Sequence, residues 1–408
     1  MTDDATYTLS ADVFQFWAID RVAKQIRLVL QDGRKFEEPI DDNDPILNSE
    51  IAMSLFDWEK WWVTSITKRG HVIFAEGYSP NTENPLGRLP AVYLDQNHWS
   101  TVALAMVDPG KVKSETELAA AYELVRLGSD AGIVLPLSSG HMLETGGLFG
   151  DKRYDLAVAM ASLSGGWQLR HPMNVWRQEA AQVLADVIRV PRPEKALRVI
   201  CLDPNAALSS GKRPEDFDPD SAELFLLMLT CSSVLVDLLL DPERTERGDL
   251  SKWLAHQRKV TAELAAITGP KEAKRKMALR RFWEGDLQAF HNGYADLRAD
   301  RPFPELTDQQ LAKHLTTMPM VGYLSGLFTQ RYVSATTVWK RNDLLDMMFL
   351  SCAAGYADFV AAEAHTGTQL AQLQRARGGP QTVFTTLHDL VEALLASGAQ
   401  TATERDEH

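Results

Sequence analysis

The sequence predicts an α/β protein with a parallel sheet, a large helical part and a small mixed amino-terminal region. The first observation is that two short apolar segments, residues 91–94 and 132–137, alternate with amphipathic segments typical of helices. The second is a further apolar segment, 358–362, which follows another helical pattern. The third is the stretch 151–330, where helical periodicity predominates.

Residues 1–88 are expected to form the mixed α/β region at the amino terminus. Gln25–Leu30 alternates in polarity and precedes Asp32-Gly33, which predicts a β-hairpin with a type I′ turn. Residues 50–66 predict a helix, and its aromatic cluster is more typical of a core than of a stacking surface: Phe56, Trp58, Trp61 and Trp62. The Pro-, Gly- and Asn-rich stretch 78–90 marks a domain boundary.

The composition and net charge of the chain exclude several classes of protein. The chain has 408 residues, of which 45% are hydrophobic, so it is neither wholly disordered nor fibrous. Its formal charge of −13 argues against a general nucleic-acid coat, which needs a basic surface. Lys271–Arg281 is the exception, and it reads either as a solvated helix face or as a local phosphate-contacting patch.

The spacing of the cysteines and the length of the apolar segments indicate a cytoplasmic protein. Three cysteines without C-x-x-C spacing exclude a disulfide framework and a structural zinc site: Cys201, Cys231 and Cys352. The first thirty residues lack a basic region, so no secretory signal is expected. Residues 222–240 are nearly long enough to cross a bilayer, but Glu223 and Asp237 favour a buried core helix.

Five acidic residues lie at the ends of the predicted elements. Asp95 and Glu363 follow the first and third apolar strands, and Glu144 lies in the helix after the second. Asp343 and Asp346 occupy the first turn of the helix before the third strand and share one face. Because ligands bind at the carboxyl ends of strands in open α/β sheets, we expect these carboxylates to converge.

Converging carboxylates suggest a particular chemistry. They repel one another unless they are protonated or hold a hard cation. Oxygen ligands without His or Cys favour Mg²⁺ or Mn²⁺ over zinc, and such a site activates water against a phosphodiester. The alternative is ordinary capping, because acids at helix starts complement the helix dipole, and Glu144 alone would be a solvated helix residue.

Four segments together resemble the motifs of PIN-domain nucleases. Tyr93–Asn97 is similar to the strand followed by Asp-x-Asn, and Leu135–Glu144 to the strand and helix that supply a Glu. Asn342–Asp346 and Tyr356–Glu363 resemble the third and fourth motifs, an acid that opens a helix and a strand that ends in an acid. Glu363 departs from the commoner Asp, and a long insertion separates the second and third motifs.

The resemblance covers residues 91–180 and 335–376 and implies a three-layer α/β/α PIN-like core with a parallel sheet. Residues 181–334 would then be a large helical insertion that grips substrate or mediates self-association. Residues 377–408 would be a carboxyl-terminal helix, expected over 381–396, and a flexible tail.

The resemblance also implies a function, that of a Mg²⁺- or Mn²⁺-dependent endoribonuclease like the toxin ribonucleases of toxin–antitoxin systems. RNA, or else DNA, would be the substrate, and a second copy or an antitoxin-like regulatory protein would be the partner. Carried over by position, the metal ligands would be Asp95, Glu144, Asp346 and Glu363, with Asp343 as a substitute third acid. Supporting residues would be Asn97, Ser138 and His141. Basic residues precede the third motif and would either contact RNA phosphates or form an ordinary basic surface: Arg331, Lys340 and Arg341, with Gln330.

Other interpretations stay open. His98 and His141 flank the acids and would act either in acid–base chemistry or in structure, and Glu179 would reach the site only from a further helix. A different function is that of a non-catalytic helical interaction protein with a decayed PIN-like core, which predicts no metal binding. A DNA-binding regulator is disfavoured by the charge and by the lack of a helix-turn-helix pattern.

Overall fold

The computed structural model describes residues 14–77, 86, 89–193, 197–203, 206–207, 234–240, 249–334 and 336–406. Most of the predicted boundary 78–90, Cys231 and the apolar residues 222–233 lie outside these described residues. Within them, none of the helices has the length and apolar character needed to span a bilayer.

The amino-terminal region is a six-stranded antiparallel sheet, in which β-strands follow from alternating buried and exposed side chains. The strand order is β3-β2-β1-β4-β5-β6. The strands are β1 (Phe14–Asp20), β2 (Gln25–Leu30), β3 (Lys35–Pro39), β4 (Ile51–Asp57), β5 (Trp62–Thr67) and β6 (Val72–Glu76).

The expected helix over 50–66 is wrong, because this segment forms the antiparallel pair β4 and β5. The Asp57 carboxylate accepts hydrogen bonds from the backbone N–H of Glu59 and Lys60, both at 3.0 Å, and so closes the turn between the strands. Only part of the aromatic cluster is core, since Trp58 is 6% exposed whereas Trp62 is 47% exposed.

The predicted hairpin is present as β2 and β3, but its turn differs from the expected type I′. Gly33 has a φ of +85°, whereas Asp32 is not among the residues with positive φ. The amide of Gly33 donates to the Leu30 carbonyl, as in a three-residue loop with glycine in the left-handed region. Glycine is needed there because it adopts positive φ without steric cost.

A small parallel sheet is present, as the sequence predicts. The strands β7 (Val92–Leu94), β10 (Phe359–Ala361) and β11 (Val383–Phe384) pair in the order β11-β10-β7. Parallel bridges from Ala91 to Val134 and from Leu137 to Gln168 continue this arrangement. The expected strand over 132–137 is reduced to these bridges, since Pro136 has no N–H to donate. A short antiparallel pair follows, β8 (Gln168–Leu169) with β9 (Ile200–Cys201).

Helices make up most of the remaining described chain. They are α1 (Gln96–Val107), α2 (Glu115–Ser129), α3 (Ser139–Thr145), α4 (Gly150–Ser164), α5 (Pro172–Ile188), α6 (Val234–Leu240), α7 (Ser251–Ala266), α8 (Lys271–Gly285), α9 (Leu287–Asp296), α10 (Asp308–Thr317), α11 (Pro319–Val333), α12 (Asp343–Tyr356), α13 (Ala364–Ala376), α14 (Leu387–Ala396) and α15 (Ala402–Asp406).

Helices cover both faces of the parallel sheet. Val92 and Leu94 are fully buried in a cluster with side chains of α1, α2, α4 and α14. Tyr93 and Val360 point the other way, into a cluster with side chains of α5, α8, α11 and α12. The period of two along a strand produces this division, and it leaves the strand ends as the accessible part of the sheet.

The carboxyl-terminal segment differs from the expected helix and frayed tail. Val383–Phe384 joins the parallel sheet, so the last long helix begins only at Leu387. The tail forms α15, where the Ala402 amide donates to the Asp130 carbonyl at 2.7 Å and Glu404 pairs with Arg126 at 2.7 Å. The segment is therefore attached to the end of α2.

Candidate functional site

Two predicted acids meet at the carboxyl ends of the adjacent parallel strands β7 and β10. The Asp95 amide donates to the Ala361 carbonyl at 2.8 Å, which extends the ladder by one residue. The Asp95 carboxylate accepts from the amide of Gln96 at 2.6 Å and from that of Glu363 at 3.0 Å. Asp95 thus caps α1, and Glu363 occupies the N-cap position of α13. Two helix amino termini, with their positive partial charge, therefore face this edge.

Glu144 is brought to the same edge by the capping of its helix, α3. The Ser138 hydroxyl accepts from the His141 amide at 3.4 Å, and the Ser138 amide donates to His141 Nδ1 at 3.1 Å. The other ring nitrogen of His141, Nε2, donates to the Leu94 carbonyl at 2.8 Å, one residue before Asp95. His141 and Ser138 therefore connect the start of the Glu144 helix to the strand that presents Asp95.

The environment of His141 gives it a positioning role. Burial lowers the pKa of His141 to about 4, so the imidazole is neutral, with Nδ1 as acceptor and Nε2 as donor. Both ring nitrogens are occupied by protein groups, which leaves none to transfer a proton to a substrate. Ser138 is completely buried and its hydroxyl also contacts the Tyr93 hydroxyl at 3.0 Å, so the whole connection lies inside the protein.

Asp343 and Asp346 lie on one turn of α12 but have different surroundings. The Asp343 carboxylate pairs with Arg331 at 2.9 Å and accepts from the Lys340 amide at 2.5 Å. The half-buried Asp346 carboxylate receives no hydrogen bond from any described residue. Asp343 is therefore satisfied by protein groups, and Asp346 is the acid of this pair that is available to a ligand.

Electrostatics ties Asp346 to the other acids. Burial, followed by the charges of Glu144, Asp95, Glu363 and Asp343, raises the pKa of Asp346 to about 8. Burial is the larger cause, and the like charges of the neighbouring acids add to it. Such a group is relieved either by a proton or by a cation.

A cleft of about 850 Å³ is lined by three of the five predicted acids, whereas Asp95 and Glu144 are not among its lining residues. Its lining combines acids and bases of α11, α12, α13 and the segment before α12, among them Arg331, Lys340, Arg341, Asp343, Asp346 and Glu363. Lys340 and Arg341 are exposed along this lining. Arg331 is 6% exposed and lies 5.0 Å above the Trp339 ring, so it mainly holds Asp343 in place.

The remaining predicted residues lie outside the cleft lining. Asn97 is exposed in the first turn of α1, and the Asp95 carboxylate is bound by Gln96 and Glu363 instead. His98 is buried, and its Nε2 has no hydrogen-bond partner among the described residues. Glu179 is removed from the acid group, since its carboxylate accepts from the Met320 and Val321 amides and the Tyr356 hydroxyl.

Sequence reasoning missed two residues at this edge. Gln96 joins α1 to α3, with Nε2 donating to the Thr145 hydroxyl at 3.0 Å. The signal that could have found it is a polar residue immediately after Asp95 at the start of an apolar helix. His365, in the first turn of α13, lines the cleft and lies 3.4 Å from the Arg331 guanidinium. Nothing in its local pattern distinguishes it.

Among the described residues, no three His, Cys, Asp or Glu side chains are arranged to hold a metal ion. The chemistry of the donors nevertheless suits a hard cation, because Asp95, Glu144, Asp346 and Glu363 present only oxygen and Asp346 is under repulsion. The comparisons with family models, curated proteins and solved structures found no match for this chain.

Proposed function

We propose that the protein is a Mg²⁺- or Mn²⁺-dependent endonuclease that hydrolyses phosphodiester bonds in RNA, built on a three-layer PIN-like core. One observation carries the proposal. The acids Asp95 and Glu363 follow adjacent parallel strands, the Glu363 amide donates a hydrogen bond to the Asp95 carboxylate, and the unpartnered Asp346 carboxylate lies in their electrostatic range. The carboxyl end of a parallel sheet is where α/β proteins bind ligands.

Asp95, Glu144, Asp346 and Glu363 are the residues that would hold the cation. When bound, a divalent cation supplies an activated water and neutralises charge on the phosphodiester. The carboxylates around Asp346 repel one another, and a bound cation would lower this repulsion, which favours cation binding. His141 and Gln96 keep α3 and α1 at the ends of the strands, so they position these carboxylates without contacting substrate.

The other residues of the cleft orient the substrate. Lys340 and Arg341 are exposed along its lining and provide positive charge for phosphates on either side of the scissile bond. Arg331 and Asp343 neutralise each other inside the wall and hold the first turn of α12, which carries Asp346. The resemblance to PIN-domain nucleases adds three parts to this proposal. The protein would act in the cytoplasm, would serve as a toxin or in phage defence, and would bind an antitoxin-like partner.

The test uses purified protein with end-labelled RNA and DNA, in Mn²⁺ or in EDTA. We expect cleavage of RNA in Mn²⁺ only, and a loss of at least about a hundredfold in Asp95→Asn and in Asp346→Asn. Asp343→Asn, one turn away on the same helix, is the matched control and is expected to keep most of the activity of its folded fraction. Equal cleavage in EDTA, or full activity of Asp346→Asn, would contradict the proposal.

A second candidate is a non-catalytic helical interaction protein with the same core. It is favoured by the finding that the described residues hold no ready arrangement of three metal-binding side chains. A Mn²⁺ titration followed by calorimetry separates the two. Heat of binding that disappears in Asp346→Asn supports the nuclease, and no heat with either protein supports the interaction module.

A further inference from the structure

The helical part carries a strongly basic surface that the cleft alone does not explain. Between residues 250 and 281, nine Lys or Arg side chains stand against two acids, Glu263 and Glu272, in a chain of formal charge −13. The segment covers α7 and most of α8. Four of the nine bases are paired with acids, since Lys259 and Arg281 contact Glu263, Arg275 contacts Glu272 and Arg280 contacts Asp308. The positive charge that remains unpaired in these described helices suits a polyanionic partner.

Helix α7 lies beside the wall of the cleft. The Arg258 guanidinium donates to the Trp339 carbonyl at 3.4 Å, and the Trp339 indole donates to the Thr261 hydroxyl at 2.8 Å. Lys340 and Arg341 follow Trp339 directly and line the cleft. Helix α7 therefore lies next to the residue that precedes the two basic residues of the cleft lining.

Several lysines of this surface are directed to solvent. Lys252 and Lys259 are two turns apart on the exposed face of α7, and Lys271 and Lys276 are exposed at the start of α8. Within the part of the chain that the structure describes, no acid pairs with Lys252, Lys271 or Lys276. With 16 residues, α7 is about 24 Å long, which corresponds to about seven phosphates at ~3.4 Å each.

The surface is suited to phosphates rather than to bases. In the described helices α7 and α8 no Phe, Tyr or Trp is exposed, so the stacking platforms of single-strand readers are lacking. Lysines and arginines alone bind the backbone without reading sequence. Proximity to the cleft favours nucleic acid over a membrane, because one strand can contact both surfaces.

We propose that α7 and α8 bind the sugar–phosphate backbone of an RNA that extends from the cleft, without sequence preference. This inference rests on the proposed function for the identity of the strand, but the binding itself requires no cleavage. It predicts that affinity grows with strand length beyond what fits in the cleft. It also predicts that only long substrates depend on Lys252, Lys271 and Lys276.

The test measures fluorescence anisotropy of labelled RNA in EDTA, with strands of about six and about twenty nucleotides. The charge-reversal variant is Lys252→Glu/Lys271→Glu/Lys276→Glu. The matched control, Lys68→Glu/Lys113→Glu/Lys152→Glu, changes exposed lysines elsewhere by the same total charge. We expect the first variant to bind the long strand at least about tenfold more weakly, with a log–log salt slope shallower by about 2.

Further controls separate a specific binding surface from an effect of net charge. The short strand should bind equally to wild type and to both triple variants, and Lys→Arg changes at the three positions should preserve long-strand binding. Equal losses in the two triple variants would overturn the inference, since net charge would then explain them. Binding of wild type to phosphatidylserine–phosphatidylcholine vesicles but not to RNA would also overturn it. The binding surface and the nuclease activity can also fail separately. If the Lys252→Glu/Lys271→Glu/Lys276→Glu variant loses long-strand binding and the wild type cleaves no RNA, the nuclease proposal is wrong and the RNA-binding surface is still supported.

Discussion

Two regions of the molecule bury a carboxylate, and they satisfy it differently. Between α5 and α11, Glu179 is 2% exposed and accepts from the Met320 and Val321 amides and the Tyr356 hydroxyl. At the edge of the parallel sheet, Asp346 is half-buried among other acids and receives no hydrogen bond from a described residue. The first carboxylate serves the fold, and the second is maintained at a cost to it, as is common in functional sites.

The largest expected effect is at the satisfied carboxylate. Glu179→Ala leaves two buried amides at the start of α11 without an acceptor, and we expect the free energy of unfolding to fall by about 4 kcal/mol. Glu179→Gln keeps one acceptor oxygen and should lose about half as much. Urea denaturation measures both. A loss below about 1 kcal/mol for the alanine variant would show that water replaces Glu179 easily.

The next effect concerns the pair that keeps Asp343 out of the acid group. Arg331→Met leaves the buried Asp343 carboxylate without its partner, so unfolding should become easier by about 3 kcal/mol. Adding Asp343→Leu should restore part of this, because the pair is then removed as a unit. Strict additivity in the double-mutant cycle would contradict a coupled pair.

Substitution of Asp346 should stabilise the protein, in contrast to the substitutions of Glu179 and Arg331. Its folded-state pKa, about 8, is above the ordinary value of 3.8, so the folded protein loses stability as pH rises from about 4 to about 8. Asp346→Asn removes the charge, and we expect a gain of about 2 kcal/mol above pH ~8 and little gain near pH ~4. Thermal unfolding across this range is the measurement. A variant that is less stable at alkaline pH would contradict the repulsion among the acids.

The smallest effect is expected at His141. Its pKa of about 4 lies below the ordinary 6.5, so the stability that neutral His141 contributes is present above pH ~6.5 and is lost as pH falls towards 4. Between pH ~7 and ~5.5 the free energy of unfolding of the wild type should fall by about 1 kcal/mol more than that of His141→Asn. Parallel pH profiles of the two proteins would contradict burial as the cause.

The contrast between the two regions also shows how far sequence reasoning reached. Apolar segments around Val92–Leu94 and Phe359–Ala361 predicted the parallel strands that present Asp95 and Glu363, because strands buried on both faces are apolar throughout. Strands of two residues, such as Val383–Phe384, are too short for any period to reveal. The 50–66 segment misled because Phe56, Trp58, Trp61 and Trp62 fit a helical spacing as well as a hairpin with a turn.

The site shows the same limit. Local pattern placed Asp343 and Asp346 on one helix face, but only the long-range contact of Arg331 with Asp343 separates their roles. The position of His141 three residues before Glu144 suggested a supporting role, whereas the bond from His141 to the Leu94 carbonyl depends on the packing of α3 against β7. Contacts between residues distant in sequence decide which acids are satisfied, and a single sequence does not display them.

The central claim is that Asp95, Glu144, Asp346 and Glu363 hold a divalent cation. The most direct measurement is a crystal structure of the protein soaked in Mn²⁺, with anomalous scattering used to locate the metal. We expect an anomalous peak within about 2.0–2.6 Å of carboxylate oxygens of Asp95, Glu144, Asp346 and Glu363. Well-ordered carboxylates with no peak between them at saturating Mn²⁺ would contradict it.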